Sequence, residues 1–371
     1  MARYFAAPVA VGTGQGNSWA NAGDLQTMIN NVLAAPSPGG DEIWARRGTY
    51  SLTSPLSIVG NTAPLSIYGG FLGNEQFLCQ RNANIDSLNP NFFQNPSILD
   101  GGGTNRVIDI QQANVCRIDG FLIEKGNAGT GNGGGVQAGG RNIWLENLVF
   151  MDNMASIGGG IFTIGSYNVM IKNSIFFNNQ ATGGGGIWID DGRNTLLVNV
   201  LFNRNTVNAN GNGAAIYISG GNNMKIINNT IADNTPTNTS VYCMQSPNDV
   251  EIYNSILYPD TLVAAGGANV VVDYCCLATN PISILPPPIT ILNFLPIGTN
   301  PLFVNAAGGN YHLSNTATSQ SPCIDWGNTN IIFPLSATDL EGYPRIIDKG
   351  INTFPPLPIT REVDLGAFEV Q

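Results

Sequence analysis

An all-β fold of the parallel solenoid type is predicted by three features of the chain. A unit of about 26 residues repeats through its middle, apolar residues alternate with period two inside each unit, and asparagine and glycine return at fixed positions. The units read NIWLENLVFMDN from Asn142, NVMIKNSIFFNN from Asn168, NTLLVNVLFNRN from Asn194, NMKIINNTIADN from Asn223 and DVEIYNSILYPD from Asp249. NVCRIDGFLIEK from Asn114 fits before them, and NVVVDYCCLATN from Asn269 fits more loosely after them.

The sixth position of the unit is Asp119, Asn147, Asn173, Asn199, Asn228, Asn254 and Tyr274, at spacings of 28, 26, 26, 29, 26 and 20. One turn of a three-sided solenoid needs about this length, because three short strands and their corners must bring the chain back one strand spacing, roughly 4.8 Å, higher. Asparagine at the sixth position predicts a corner in the left-handed conformation, with its amide bonding to the rungs above and below. A second such column is predicted at Asn153, Asn179, Asn205, Asn234, Asp260 and Asn280. Phe150, Phe176, Phe202, Ile231 and Leu257 share the ninth position and are assigned to the interior. A third strand follows each small-residue cluster: GGGVQ (133–137), GGGIF (158–162), GGGIW (184–188), GAAIY (213–217) and SVY (240–242). The glycines permit a sharp corner there and are not a phosphate loop, since no helix or GK[ST] follows.

The ends predict caps. Residues 1–40 hold the N-terminal cap, in which Leu25, Met28, Ile29, Val32 and Leu33 have helical spacing and suit one amphipathic helix over the first rung. Residues 41–280 hold the coils. Residues 281–371 are read as a non-repeating, proline-dense tail (ILPPPITILNFLP, INTFPPLP) that folds back over the last rungs, with Asp339, Arg345, Asp364 and Glu369 as buried locking groups.

Charged residues are only 11% of the chain, less than half the usual share, which argues against a helix-rich globule. A formal charge of −10 argues against nucleic acid and anionic membranes as partners. No apolar run is long enough to span a bilayer, and MARYFAAPVAVG lacks the pattern of a secretory signal. Cys79, Cys116, Cys243, Cys275, Cys276 and Cys323 are scattered without ligand spacing; they read as buried small hydrophobes rather than a zinc site, and their pairing is left open.

Beyond the period, the glycine strands paired with Phe150-Met-Asp-Asn153, Phe176-Phe-Asn-Asn179 and Phe202-Asn-Arg-Asn205 resemble the repeats of polymorphic outer-membrane proteins. GNSWANAGDLQTMI (16–29), GDEIWARRGTY (40–50), LSIYGGFLGNE (65–75), QRN (80–82), NPLFVNAAGGNYHL (300–313), SPCIDWGN (321–328), TDLEGYPR (338–345) and VDLGAFE (363–369) resemble choice-of-anchor Q domains of bacterial surfaces. The resemblance covers nearly the whole chain and implies a right-handed single-stranded parallel β-helix, secreted or at the cell surface, adhesin-like or structural, with no shared catalytic motif. The anchor usual in that family is not seen before Gln371.

Parallel β-helices also include pectate-lyase-like enzymes, so a polysaccharide lyase or hydrolase is the alternative reading, with Ca²⁺ as its possible cofactor; no other cofactor or metal is expected. Such sites need clustered carboxylates with a basic residue, or several aspartates near a histidine. The one histidine, His312, lies in the tail, and the best acidic pair, Asp190 and Asp191 with Arg193, reads as a solvated turn because adjacent strand residues point to opposite faces. Glu146 with Lys172, and Lys225 with Glu251, fall at matching positions of successive rungs as cross-strand charge pairs.

The ligand-binding candidates are aromatic. If Ile161, Ile187, Ile216 and Val241 face inward, alternation sends Phe162, Trp188, Tyr217 and Tyr242 outward, one above another, as flat platforms for a polysaccharide or a surface protein. Trp144, Met170 and Leu196 make a shorter apolar stripe on another side, suited to self-association and, as a further alternative, to a filament subunit.

Overall fold

The computed structural model describes residues 1–89, 91–244, 249–284, 289–329, 336–345 and 363–370. One 24-stranded parallel sheet winds through them, each strand pairing with its counterpart one coil earlier and one coil later. Three inward columns show the winding. Leu56, Ile108, Val136, Ile161, Ile187, Ile216, Val241 and Leu262 stack on the first face. Ile67, Ile118, Leu145, Ile171, Leu197, Ile226, Ile252 and Val272 stack on the second. Tyr50, Leu99, Ile123, Phe150, Phe176, Phe202, Ile231, Leu257 and Leu277 stack on the third. Phe150, Phe176 and Phe202 lie ring on ring at 4.5 and 4.8 Å, fully buried.

The corners follow from asparagine chemistry. Asn147, Asn173, Asn199, Asn228 and Asn254 all have φ between 47 and 55°, and Tyr274 at φ 51° shows that the coil imposes this conformation even without the asparagine amide. The sixth-position amides donate one rung down, from Asn147 to Asp119, Asn173 to Asn147 and Asn199 to Asn173, over 2.9 to 3.3 Å. Past Asn199 the expected ladder is interrupted: Asn228 and Asn254 donate instead to the tail carbonyls of Asp364 and Asn328. The second column is continuous from Asn153 through Asn179, Asn205 and Asn234 to Asp260, all buried, each side-chain oxygen accepting from the backbone N–H one coil earlier. Asn280 is exposed and stands outside it. Asn142, Asn168, Asn194 and Asn223, opening each unit, form a further left-handed ladder that the sequence reading did not assign.

The N-terminal lid is the helix α1, Leu25–Ala34, started by the Asp24 carboxylate accepting from the Thr27 N–H at 3.0 Å. Leu25, Met28, Ile29 and Val32 are buried against the first coils, while Leu33 is only partly buried. At the other end, parallel pairing continues beyond residue 280 through Ile282–Ser283 and Thr290–Ile291. The tail does more than cover the last rungs. It runs back along the outside of the third face, where Ile98, Leu122, Val149, Ile175, Leu201, Thr230, Ile256 and Cys276 form an outward column. Tyr311, Leu340, Ala367 and Phe368 bury this column together with Ile85 and Phe93. The signal was present in the runs LVF (148–150) and VLF (200–202), whose lack of alternation marks a strand buried on both faces. The INTFPPLP segment of the tail lies outside the described residues.

Candidate functional site

Among the described residues the tail packs on the outside of the third face, and the outer surface of the first face carries a column of its own. Alternation places Gln137, Phe162, Trp188, Tyr217, Tyr242 and Val263 in one outward column. Trp188 stacks on Tyr217 with centroids 3.8 Å apart and rings 7° from parallel, and Tyr217 on Tyr242 at 5.3 Å and 21°. Tyr217, between the other two stacked rings, is 8% exposed, and Phe162, which precedes the stack, is 3% exposed, so neither offers an open platform. Trp188 and Tyr242 remain partly exposed. All four rings stand in the outward register that alternation predicts, but only two of them are accessible; Tyr217 is covered by the rings stacked on either side of it.

Two residues further along each strand, Ile164, Asp190, Ser219 and Met244 form a second outward column beside the rings. Ile164 and Met244 are exposed. Asp190 is partly buried, and its carboxyl bonds Ser219; burial first, and then Asp191, raises its pKa above the usual carboxylate value. Asp191, at φ 46°, turns away from Asp190 into solvent beside Arg193, 3.8 Å apart, with both side chains more than half exposed. The structure thus separates Asp190 from Asp191 and places Asp190 with the aromatic column, an i+2 relation to Trp188 that the sequence contained. Among the described residues, no group of three or more His, Cys, Asp or Glu side chains is arranged to hold a metal ion.

The other proposed surfaces are more structural. Trp144, Met170 and Leu196 do stack in register, partly buried, with Arg117 before and Lys225 after them. Glu146 stands opposite Lys172 in register, but its ion pair is with Arg117 on the preceding coil, since a strand has two neighbours and the guanidinium reaches its carboxylate. Lys225 and Glu251 pair directly. His312 is fixed by Asn310 at 2.8 Å and Glu341 at 3.0 Å and packs on Phe368. Glu341 also takes two hydrogen bonds from Ser87, so the tail is tied to an early loop.

The tail's locking groups are buried as expected. Arg345, fully buried, donates to the Asn199 side chain and the carbonyls of Gly366 and Ala367 at 2.9 to 3.1 Å, and reaches Glu369 at 3.5 Å. Its single guanidinium faces three carboxyls, those of Glu369, Asp339 and Asp364. Burial, together with Asp364, pushes Glu369 up to about 9, and burial pushes Asp364 up to about 6. Burial thus favours the protonated form of Glu369 over the usual carboxylate, and among the described residues its Oε1 has no hydrogen-bond partner.

Because these folded-state values are raised, docking takes up protons, and its stabilisation is full below the unfolded value and is lost as pH rises through the folded one. Amide exchange in the tail is expected to accelerate progressively as pH rises from about 4.5 to about 9, after correction for intrinsic exchange. A pH-independent opening free energy across that window would contradict this assignment.

Parallel coils, asparagine ladders and a helical lid define a capped β-helix carrying a ring-lined outer face. Residues 93–257 and 160–282 match the family described as right handed beta helix region, together more than half of the chain, and the chain belongs to that family. No curated protein sequence matches it. Among solved structures, pectate lyase Pel9A is similar with a TM-score of 0.45 at 15% identity, over 100% of this chain and 97% of that one. A glycoside hydrolase is similar with a TM-score of 0.46 at 9% identity, over 79% of this chain and 96% of that one. A rhamnogalacturonan lyase is similar with a TM-score of 0.45 at 11% identity, over 86% and 97%.

Proposed function

We propose that this chain is a secreted or cell-surface β-helix that binds a neutral glycan along the outer first face without cleaving it. The observation that carries the reading is the pair of partly exposed rings, Trp188 and Tyr242, flanked by Asp190 and Ser219 as hydrogen-bonding side chains. A sugar ring presents an apolar C–H face to an aromatic platform and hydroxyls to the polar groups beside it. Asp190 within the face, Asp191 at its edge and a net charge of −10 disfavour polyanionic glycans. Asp190 faces Ser219, and Asp191 points elsewhere, so no pair of carboxyls converges on a bond held over Trp188. The motifs that resemble those of choice-of-anchor Q and polymorphic outer-membrane proteins support an adhesin-like role, and glycan polymers of cell walls and surfaces lie outside the membrane.

Trp188→Ala tests the site. Binding to the best-retained neutral polysaccharide is expected to weaken about tenfold or more, roughly 1.4 kcal/mol, with an unchanged circular dichroism spectrum. Trp144→Ala, on another face, is expected to leave binding intact. Equal loss in both variants, or loss in neither, would remove the aromatic column as the site.

A further inference from the structure

We infer that Cys276 and Cys323 form one intramolecular disulfide that fastens the C-terminal tail to the end of the solenoid. The six cysteines, all thiols here, divide by position. Cys79 is exposed, contrary to its reading as a core residue, whereas Cys116, Cys243 and Cys275 lie in the main interior. Cys276 and Cys323 share a different cluster, the one between the last rungs and the tail, with Ile256, Leu295 and Leu365.

Strand alternation separates the adjacent pair. Cys275 points inward, its thiol donating to the carbonyls of Asp273 and Ile252 at 3.3 and 3.6 Å. Cys276 continues the outward column after Ile256, with its thiol 3.3 Å from the Thr299 carbonyl. The side chains of Cys276 and Cys323 thus meet within one buried cluster at the coil–tail boundary, near enough for each thiol to influence the other. Backbone bonds hold both sides: Cys276 N–H to Ser255, and Leu365 N–H to the Cys323 carbonyl, each at 3.0 Å. Cys275, turned into the main interior, lies outside the cluster that Cys276 shares with Cys323.

The oxidant is a small-molecule disulfide such as oxidised glutathione. One protein thiolate attacks it, forming a mixed disulfide and releasing one glutathione thiol; the second protein thiolate then attacks the protein sulfur and releases the other glutathione. Two thiol protons are given up, and two electrons pass to glutathione. The attacking species is the thiolate, and burial holds Cys323 well above the ordinary thiol range once the tail is docked. Bond formation therefore belongs to docking during folding, while the sulfurs still meet water.

The full chain, reduced in denaturant and refolded in a reduced/oxidised glutathione couple, should lose two of its six titratable thiols. Peptide mapping without reduction should recover one linked pair containing Cys276 and Cys323. The link should persist in Cys275→Ser and vanish in Cys276→Ser and Cys323→Ser. Since a variant can refold poorly, the same map is made on the unsubstituted protein, opened briefly in sub-denaturing urea with the couple present. Six titratable thiols in both preparations, a link through Cys275, or separate glutathione adducts on Cys276 and Cys323 would each overturn the inference.

Discussion

Arg345→Ala is expected to release the tail from the solenoid. The guanidinium is wholly buried, supplies hydrogen bonds to Asn199, Gly366 and Ala367, and is the counter-ion within a set of three carboxyls. Its removal leaves two backbone carbonyls and the Asn199 oxygen short of a donor, and buried acidic groups without compensation. Breaking a buried pair in this way costs about 3–5 kcal/mol. The loss should be local, because the coils keep their own ladders: exchange protection should fall at Leu340 and Ala367, whose N–H groups bond Ala367 and the Thr230 hydroxyl, and stay high at Ile171 and Ile187. Arg345→Lys keeps the charge but not the forked donors and should fall between. Unchanged protection at Leu340 and Ala367 in the alanine variant would mean that apolar packing alone holds the tail.

Phe176→Ala should be as costly and should act on the coils themselves. Its ring is sandwiched between Phe150 and Phe202, so truncation removes two stacking contacts and leaves a cavity between rungs whose positions are fixed by backbone pairing. A cost of about 3–5 kcal/mol is expected, against less than about 1.5 kcal/mol for Phe176→Leu. Because each coil contacts only its neighbours, the weakened rung can uncouple the two halves of the solenoid. Urea unfolding should then show a lower midpoint and a broadened transition. A shift equal to that of Phe176→Leu would show that neighbouring side chains collapse into the space.

What the sequence disclosed is what repeats. A coil must return to its starting point one strand spacing higher, so the positions of Asn147, Asn173 and Asn199, or of Phe150, Phe176 and Phe202, are fixed by the period alone. Alternation then separated Ile187 from Trp188 correctly. What it hid were contacts between residues far apart in the chain. Arg345 meets Asn199, and Glu341 meets Ser87, through a tail that has no period to place it. Register put Glu146 beside Lys172, yet could not decide between the coil before and the coil after; the geometry chose Arg117. Exposure was hidden for a similar reason. Phe162 and Tyr217 point outward as alternation requires, yet both are buried, Tyr217 between the stacked rings of Trp188 and Tyr242, which leaves those two as the accessible members.

The central claim, a glycan-binding face that does not cleave its ligand, is tested most directly by one incubation. The purified protein is mixed with neutral and acidic polysaccharides, with and without Ca²⁺, while retention and product masses are followed together. Retention of a neutral polysaccharide at unchanged chain length, independent of Ca²⁺, is the predicted result. Shortened or unsaturated oligosaccharides in any arm would contradict it and assign catalysis to this β-helix.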